Sequence, residues 1–408
     1  AFNPVVAGHG FLVTTDIAAA LGVMLAIVAL WFFYTQTTWY RAAWLGLALG
    51  LAMLAKFTTI LVWPIVVVVL AVKLIREPQC WQKLIGGFLL AILITWAVII
   101  IGYGGNLQPP PKTGQVVQEM TRINNYQPDK LSARRTDLGN SLYSAFRPFL
   151  IPRDYFKGLY LVTSHVNNGH FSYLLGKTST EGFWYYFPVL LVAKQSLAFL
   201  LMLGIAVLGV RYWQRQNGSG PAKYFLATGL GVLLMAMASR ADLGVRHVLP
   251  VIVLVTVGVA AALSQLTESS AGRHWRYLVY GLFGWVAVVF IASYPNYLAY
   301  FNEAIGKDAY LVARDSNIDW GQDLYRIDEY IKKRNLTRPY LEYYWGGPGS
   351  LDYFKIDHRP GNQATPQSEG VLIIGVTFLD YPGYEYLKGR QPTEYIAPGV
   401  AVYDLPLP

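Results

Sequence analysis

Long apolar segments separated by short polar connections occupy most of the first 295 residues of the chain. About eight of them are candidate membrane spans, at 12–35, 42–55, 57–75, 84–104, 186–210, 223–239, 247–266 and 277–294. An α-helix of ~20 apolar residues crosses ~30 Å of hydrocarbon and satisfies its own backbone hydrogen bonds there. The pattern therefore predicts a polytopic α-helical membrane protein.

The second and third apolar segments are short and meet at Lys56. This arrangement predicts two helices joined by a tight turn at the membrane surface. Gly46 and Gly50 permit close helix packing, which favours a Lys56 side chain that points into the protein. An ammonium group there suits a phosphate headgroup. A lysine that snorkels to the interface is the alternative interpretation.

Basic residues in the connections predict the orientation of the spans. One side of the predicted membrane carries Arg41, Lys73, Arg76, Lys83, Arg211, Arg215, Lys223, Arg273 and Arg276. By the positive-inside rule this side is cytoplasmic. Residues 1–11, Lys56, 105–185, 240–246 and the C-terminal tail then share the extracytoplasmic side, so nearly all the unusual polar residues lie on one face.

Two outer segments are too long to be simple connections. Residues 105–185 begin near a proline run and interleave aromatic with charged residues, as in a loop that lies on lipid headgroups. Residues 296–408 contain a helical stretch at 320–334 and strand-like stretches bounded by Gly and Pro. The predicted domains are 1–104 (acidic motif and spans), 105–185 (extracytoplasmic loop), 186–295 (spans) and 296–408 (extracytoplasmic α/β domain).

Composition agrees with a membrane protein. Of the 408 residues, 54% are hydrophobic and 14% charged, against roughly 25% charged in soluble domains. The net charge of +9 fits an anionic lipid or phosphate partner, whereas scattered basic residues argue against nucleic acid.

Cys80 is the single cysteine, so no intrachain disulfide forms. The chain has no Walker, HExxH, CxxC or GxSxG motif, which argues against ATP-driven pumps and the common hydrolases.

An ionisable pair, His9 and Asp16, lies at the outer edge of the first span. Thr14, Thr15 and Asp16 are suited to cap the helix that begins here. Asp16 is equally suited to act as an acid, a base or a ligand of a divalent metal such as Mg²⁺ or Mn²⁺, with His9 nearby. The local sequence leaves both interpretations open.

The stretch SRADLGVRHVLP brings Arg240, Asp242, Arg246 and His247 into one short outer loop. One interpretation is an internal ion pair between arginine and Asp242. The other is a bidentate phosphate clamp, for which guanidinium is better shaped than ammonium. His247 could then tune or protonate the same group.

Aromatic residues open a span at EGFWYYFPVLLVAK and lie within the tail motif RDSNIDWGQDL. An interfacial aromatic belt explains most of the first stretch, with Glu181 as a cap. The tail motif predicts a turn followed by a helix that Asn317 or Asp319 caps. Contact with an acceptor glycan is the alternative, and it would involve Tyr185, Asn317, Asp319 and Trp320.

The motifs HGFLVTTD, GLALGLAMLAKFT, GFWYYFPVLLVAK, GVRHVLP, YPNYLAYFNE and SNIDWGQDL occur in this order along the chain. Together they resemble the GT-C superfamily of polyprenyl-phosphate-sugar-dependent glycosyltransferases, in the branch of protein O-mannosyltransferases and the lipid A aminoarabinose transferase. The resemblance implies a polytopic GT-C-like fold in the cytoplasmic membrane with its active face extracytoplasmic.

The resemblance also implies roles for residues. Asp16 matches a catalytic acid at the entry of a span, Lys56 and Arg246 match residues that bind the phosphate of the carrier, and 105–185 corresponds to a mobile loop. His9 is assigned to catalysis beside Asp16, and Arg240 and His247 to the phosphate. A first acid of the family is expected upstream of Ala1, so we expect a truncated chain without turnover of its own.

The implied reaction moves a mannose-like sugar, another hexose or an aminopentose from a polyprenyl or dolichyl phosphate to a protein or glycolipid acceptor. No nucleotide cofactor is implied. Two other classes stay open on the sequence, a non-catalytic membrane scaffold and a transporter of lipid-linked sugars that retain the fold.

Overall fold

The computed structural model describes residues 2–108, 151–168, 171–213, 220–240, 242–268, 272–344 and 353–406, with the single positions 111, 115, 140, 141, 144 and 351. Much of the predicted loop 105–185, including its central part at 122–137, lies outside the described residues.

Long apolar helices form the first three quarters of the chain. A short helix α1 (Pro4–Gly10) precedes α2 (Asp16–Thr35), α3 (Trp39–Ala55), α4 (Val62–Arg76) and α5 (Trp81–Gly102). An amphipathic helix α6 (Arg153–Asn168) is followed by α7 (Tyr186–Lys194), α8 (Leu197–Trp213), α9 (Gly220–Met237), α10 (Leu249–Glu268) and α11 (Gly272–Ala292). Within the described ranges, six helices are long and apolar enough to cross a membrane. A polytopic helical membrane protein is therefore confirmed.

The candidate span at 186–210 is not a single straight helix, because α7 and α8 meet at a bend of 113°. The side chain of Asn302 donates to Val192 O at 2.7 Å and its backbone N–H donates to Ala193 O at 2.8 Å, so the last carbonyls of α7 do not continue the helix. The hydroxyl of Ser196 accepts from Phe199 N at 3.2 Å and caps α8. The break falls at the polar residues Lys194, Gln195 and Ser196, where a distant segment binds the end of α7.

The predicted turn at Lys56 is present. Helix α3 ends at Ala55, and a 3₁₀ turn (Phe57–Leu61) leads directly into α4. The hydroxyl of Thr59 donates to Lys56 O at 2.8 Å and stabilises the turn. Lys56 therefore lies at the same end of the bundle as the start of α2.

Contacts between helix ends agree with the predicted alternation of the spans. At one end, Arg76 donates to Tyr34 and the rings of Trp31 and Tyr224 lie 4.8 Å apart. At the other end lie the starts of α2 and α10, the turn at Lys56 and the chain that leaves α11. Buried side chains of α2, α3 and α4 form one core, and those of α8–α11 form another.

The C-terminal segment folds into a mixed five-stranded sheet with order β6-β5-β7-β9-β8. Its strands are β5 (Tyr340–Glu342), β6 (Arg359–Pro360), β7 (Gly370–Gly375), β8 (Glu394–Ala397) and β9 (Val400–Leu405). The β5 pairings to β6 and β7 are parallel, and the β9 pairings to β7 and β8 are antiparallel. Two shorter antiparallel pairs precede it, β1 (Leu107–Gln108) with β2 (Ile151–Pro152) and β3 (Ser172–Leu174) with β4 (Lys177–Ser179).

The tail contains two described helices, α12 (Ala309–Val312) and α13 (Leu324–Lys333). Because α13 has Asp323 at its N-cap position, the predicted capping by Asn317 or Asp319 is wrong. The preceding residues form a separate 3₁₀ turn (Asp315–Asn317) and carry their side chains into buried contacts instead.

The tail domain packs directly on the end of the bundle that carries Lys56. One buried cluster joins residues of α1, α7 and α10 to Phe301, Ala313, Ile318 and Val376. Gly8 in α1 lies so close to the chain after α11 that an added Cβ would be 2.6 Å from Leu298 N. The N-terminal helix, the bundle and the tail thus share one interior.

Candidate anion-binding site

An ion pair joins the start of α2 to the turn between α3 and α4. Lys56 Nζ donates to Asp16 Oδ1 at 2.5 Å, and the side chains are 20% and 3% exposed, respectively. Thr15 occupies the N-cap position of α2 but makes no side-chain capping bond. Asp16 therefore acts chiefly as the partner of Lys56, and this contact directs the ammonium group into the protein.

The pair lines a cavity of about 350 Å³ at the end of the bundle where the tail domain packs. Apolar side chains from the Lys56 turn, α6, α7 and α9 form its walls: Phe57, Ile60, Leu61, Val62, Leu159, Val162, Phe187, Val232, Met235 and Ala236. Its polar lining includes Asp16, Lys56, Ser239, Arg246 and His247. Two basic side chains, Lys56 and Arg246, and one carboxylate, Asp16, give this apolar cavity an end with net positive charge.

Arg246 is carried by a 3₁₀ turn (Val245–Val248) that leads into α10. Its Nε donates to Leu243 O at 3.1 Å, and its guanidinium carbon lies 4.1 Å from the ring centroid of Trp320. Among the described residues no carboxylate forms an ion pair with Arg246. The structure thus brings Asp16, Lys56, Arg246 and His247 around one cavity, although they come from three separate parts of the sequence.

His9 lies behind the cavity lining, in α1, with 1% of its surface exposed. Burial lowers the pKa of its imidazole to about 4, with a further lowering from the positive charge of Lys194, so the ring is neutral at pH 7. Neither ring nitrogen has a hydrogen-bond partner within the described ranges. His9 is close enough to interact electrostatically with Asp16, yet it is not among the residues that line the cavity.

An ion pair between Asp242 and an arginine of the 240–247 loop, one of the two interpretations of the sequence, does not form, because Arg240 and Asp242 both bind an upstream segment and Arg246 stays near Leu243 and Trp320. Arg240 pairs with Glu181 at 3.0 Å, and Asp242 Oδ2 accepts from Phe183 N at 2.6 Å. Burial raises the pKa of Asp242 to about 6. Glu181 therefore serves as an ion-pair partner rather than a cap, and Arg240 lies outside the cavity lining.

Lys194 is a buried cation that the sequence analysis did not single out. Its side chain is 0% exposed, and Nζ donates to Leu298 O at 2.9 Å and Asn317 O at 2.6 Å. It also lies 4.2 Å from the ring centroid of Phe301. A charged residue inside the predicted span 186–210 was the signal available, since such residues have functional or structural partners.

Asn317 and Asp319 are buried and make structural contacts. Asn317 accepts from Val245 N at 2.9 Å and donates to the hydroxyl of Tyr186 at 3.0 Å. Asp319 accepts from the hydroxyl of Tyr343 at 2.7 Å, and burial raises the pKa of its carboxyl to about 7. Their polar atoms connect the tail to the bundle and to its own sheet.

Tyr185 and Trp320 differ in their relation to the cavity. Tyr185 is half-buried and its ring packs against Phe183 and Trp184, at centroid distances of 5.7 and 5.5 Å. Trp320 reaches the site through Arg246. Of the four residues considered for glycan contact, Trp320 is the one that touches a cation of the cavity.

The donor set around Asp16 does not fit a divalent metal. Magnesium and manganese prefer several oxygen ligands, whereas the carboxylate of Asp16 is bound to an ammonium group. No group of three or more His, Cys, Asp or Glu is placed to hold a metal ion in the part of the chain that the structure describes. We therefore derive no chemistry through a metal at this site.

Comparison with known protein families, with curated proteins and with solved structures finds no match to this chain.

Proposed function

We propose that this protein is a membrane glycosyltransferase of the GT-C type that takes its sugar from a polyprenyl or dolichyl phosphate. The observation that supports it is the cavity whose apolar walls end at Lys56 and Arg246. A phosphorylated isoprenoid matches this cavity, because it has an apolar chain for the walls and an anionic headgroup for the two basic residues. The order of motifs along the sequence supports the same class.

The geometry suits a phosphate as the leaving group. The acceptor oxygen bonds to the anomeric carbon of the sugar, and the bond from that carbon to the phosphate oxygen breaks. Negative charge then grows on the phosphate, next to the ammonium of Lys56 and the guanidinium of Arg246. Fixed cations in a site shielded from water stabilise such a charge strongly. The family resemblance implies that a carboxylate in an earlier outer loop acts as the base and takes the proton from the acceptor.

Asp16 has two roles in this proposal. It orients Lys56 through the 2.5 Å contact, and it places a carboxylate in the wall of the same cavity. A nearby carboxylate stabilises the positive charge that develops on the sugar during transfer. The concentration of these groups at one end of the bundle supports transfer at a membrane surface rather than transport, which needs polar groups across the whole bilayer.

Binding of polyprenyl phosphate to the full-length protein in lipid nanodiscs tests the proposal. Lys56→Ala and Arg246→Ala should each weaken binding by about tenfold or more, as expected for loss of a charge-assisted contact to phosphate. Arg41→Ala, at the opposite end of the bundle, is the matched control and should bind as the wild type does. Transfer of radiolabelled sugar from the loaded carrier should fall in parallel. Equal binding by all four proteins would refute the phosphate site.

A further inference from the structure

The tail domain holds the loop that carries Arg246. The hydroxyl of Ser316 donates to Leu243 O at 2.6 Å, and Asn317 Oδ1 accepts from Val245 N at 2.9 Å. These two hydrogen bonds hold the backbone of Leu243 and of Val245, the residues on either side of Gly244. The position of the loop is therefore set by a segment that lies about 70 residues further along the chain.

Gly244 makes this close contact possible. Its φ angle of +95° lies in the region that favours glycine, and an added Cβ would be 2.3 Å from Ser316 Oγ. The loop and the tail segment are thus packed at backbone distance, two residues before Arg246.

The same tail segment supplies the aromatic surface under the guanidinium group. The Trp320 ring centroid lies 4.1 Å from the Arg246 guanidinium carbon and 4.9 Å from the centroid of the Tyr344 ring. The backbone N–H of Trp320 also donates to Gln322 Oε1 at 2.7 Å. Trp320 is therefore held by its own domain and is in place before any ligand binds.

A flat aromatic face is well suited to hold the guanidinium group of Arg246 in position. Guanidinium stacks on an aromatic ring through its planar face, so its N–H donors stay in the plane and available to an anion. Arg246 uses Nε for Leu243 O, and this bond fixes the side chain at a second point. Stacking and hydrogen bond together restrict the rotamers of a side chain that otherwise loses much entropy on binding.

We propose that Trp320 is the positioning residue for Arg246, so that the extracytoplasmic domain completes the phosphate site of the membrane bundle. This inference rests on the proposed function for the identity of the anion. It does not require Trp320 to touch the substrate. The tail thereby becomes part of the donor site, and disturbance of its docking lowers donor affinity from a distance.

A double-mutant cycle in nanodiscs tests the coupling. Trp320→Leu should weaken polyprenyl phosphate binding by about fivefold, the scale of a partly buried cation–π contact. Trp320→Phe keeps an aromatic face and should restore most of the affinity. In an Arg246→Ala background, Trp320→Leu should add no further loss. Trp184→Leu removes an exposed tryptophan on the same side and should have no effect.

A second readout does not depend on the ligand. Phenylglyoxal modification followed by mass spectrometry should show severalfold faster reaction at Arg246 in Trp320→Leu than in the wild type, with Arg240 unchanged as internal reference. Unchanged reactivity of Arg246, or an equal loss of binding with and without Arg246, overturns the positioning role. If the wild type fails to bind polyprenyl phosphate while Arg246 becomes more reactive in Trp320→Leu, the proposed function fails and the positioning role stands.

Discussion

At the scale of single residues, Lys56 and Arg246 differ in the partners of their charged groups. Lys56 and Arg246 both line the cavity, but Lys56 is neutralised in part by Asp16, whereas Arg246 is stacked on an aromatic ring. The two cations therefore differ in how many of their hydrogen-bond donors are free for an anion that binds in the cavity. Arg246 offers a preorganised donor edge, and Lys56 must share its protons between Asp16 and the ligand.

This difference predicts opposite effects of Asp16→Asn on binding and on transfer. Removal of the carboxylate removes its repulsion of the phosphate, so polyprenyl phosphate should bind about two- to fivefold more tightly. Transfer should nevertheless be lost, because the proposed stabilisation of the positive charge on the sugar by this carboxylate is removed. Titration of the carrier and a radiolabel transfer assay measure the two quantities on the same preparation.

Asp328→Asn is the matched control, since it breaks the ion pair of Asp328 with Lys332 on α13, away from the cavity lining. It should change neither binding nor transfer. Weaker binding in Asp16→Asn would contradict this prediction and show that the orientation of Lys56 by Asp16 outweighs the repulsion between Asp16 and the phosphate.

At the scale of elements, the bend between α7 and α8 connects the membrane bundle to the tail. Lys194 closes α7 and donates to backbone carbonyls of Leu298 and Asn317, while Asn302 binds the last carbonyls of the same helix. These contacts place a helix end, the chain after α11 and the tail motif around one ammonium group. The bend is thus a junction between three segments.

Lys194→Met should therefore destabilise the protein. Methionine has a similar volume but leaves two buried carbonyls without a donor, which costs about 1–3 kcal/mol per unsatisfied group. We expect a lower melting temperature and faster proteolysis of the tail in detergent. Lys223→Met, an exposed lysine near the start of α9, should melt as the wild type does. An unchanged melting temperature in Lys194→Met would mean that the buried ammonium adds nothing to the junction.

At the scale of the whole molecule, three parts of the chain together form the end of the bundle that carries Lys56. Helix α1 packs against the chain that leaves α11, the tail domain covers the 240–247 loop, and the cavity lies beneath them. Stability of the docked tail and geometry of the cavity are therefore linked.

Two glycines of α1 test this linkage. A Cβ at Gly8 would lie 2.6 Å from Leu298 N, whereas a Cβ at Gly10 would have nothing within 4 Å. Gly8→Ala should cost about 1–3 kcal/mol through overpacking against backbone, and donor binding should weaken with it. Thermal melting and carrier titration measure both effects, with Gly10→Ala as the control of identical chemistry. Full affinity in a destabilised Gly8→Ala protein would show that α1 packing and the cavity are independent.

The apolar and alternating patterns were sufficient to predict most membrane helices, the turn at Lys56 and the tail strands other than β6, because these depend on residues close together in the chain. The patterns also indicated Asp16, Lys56, Arg246 and His247 as residues of one outer face, and the tertiary structure places them around one cavity.

Only the tertiary packing decided which residues the polar side chains contact. Local sequence cannot show that Arg240 pairs with Glu181, that Asn302 bends the span at 186–210, or that Trp320 covers Arg246. Each of these contacts joins residues far apart in the chain, and a polar group binds whichever partner the packed helices bring within hydrogen-bond distance. The sequence therefore determined which polar residues lie at the ends of the apolar helices, and the fold determined which of them come into contact there.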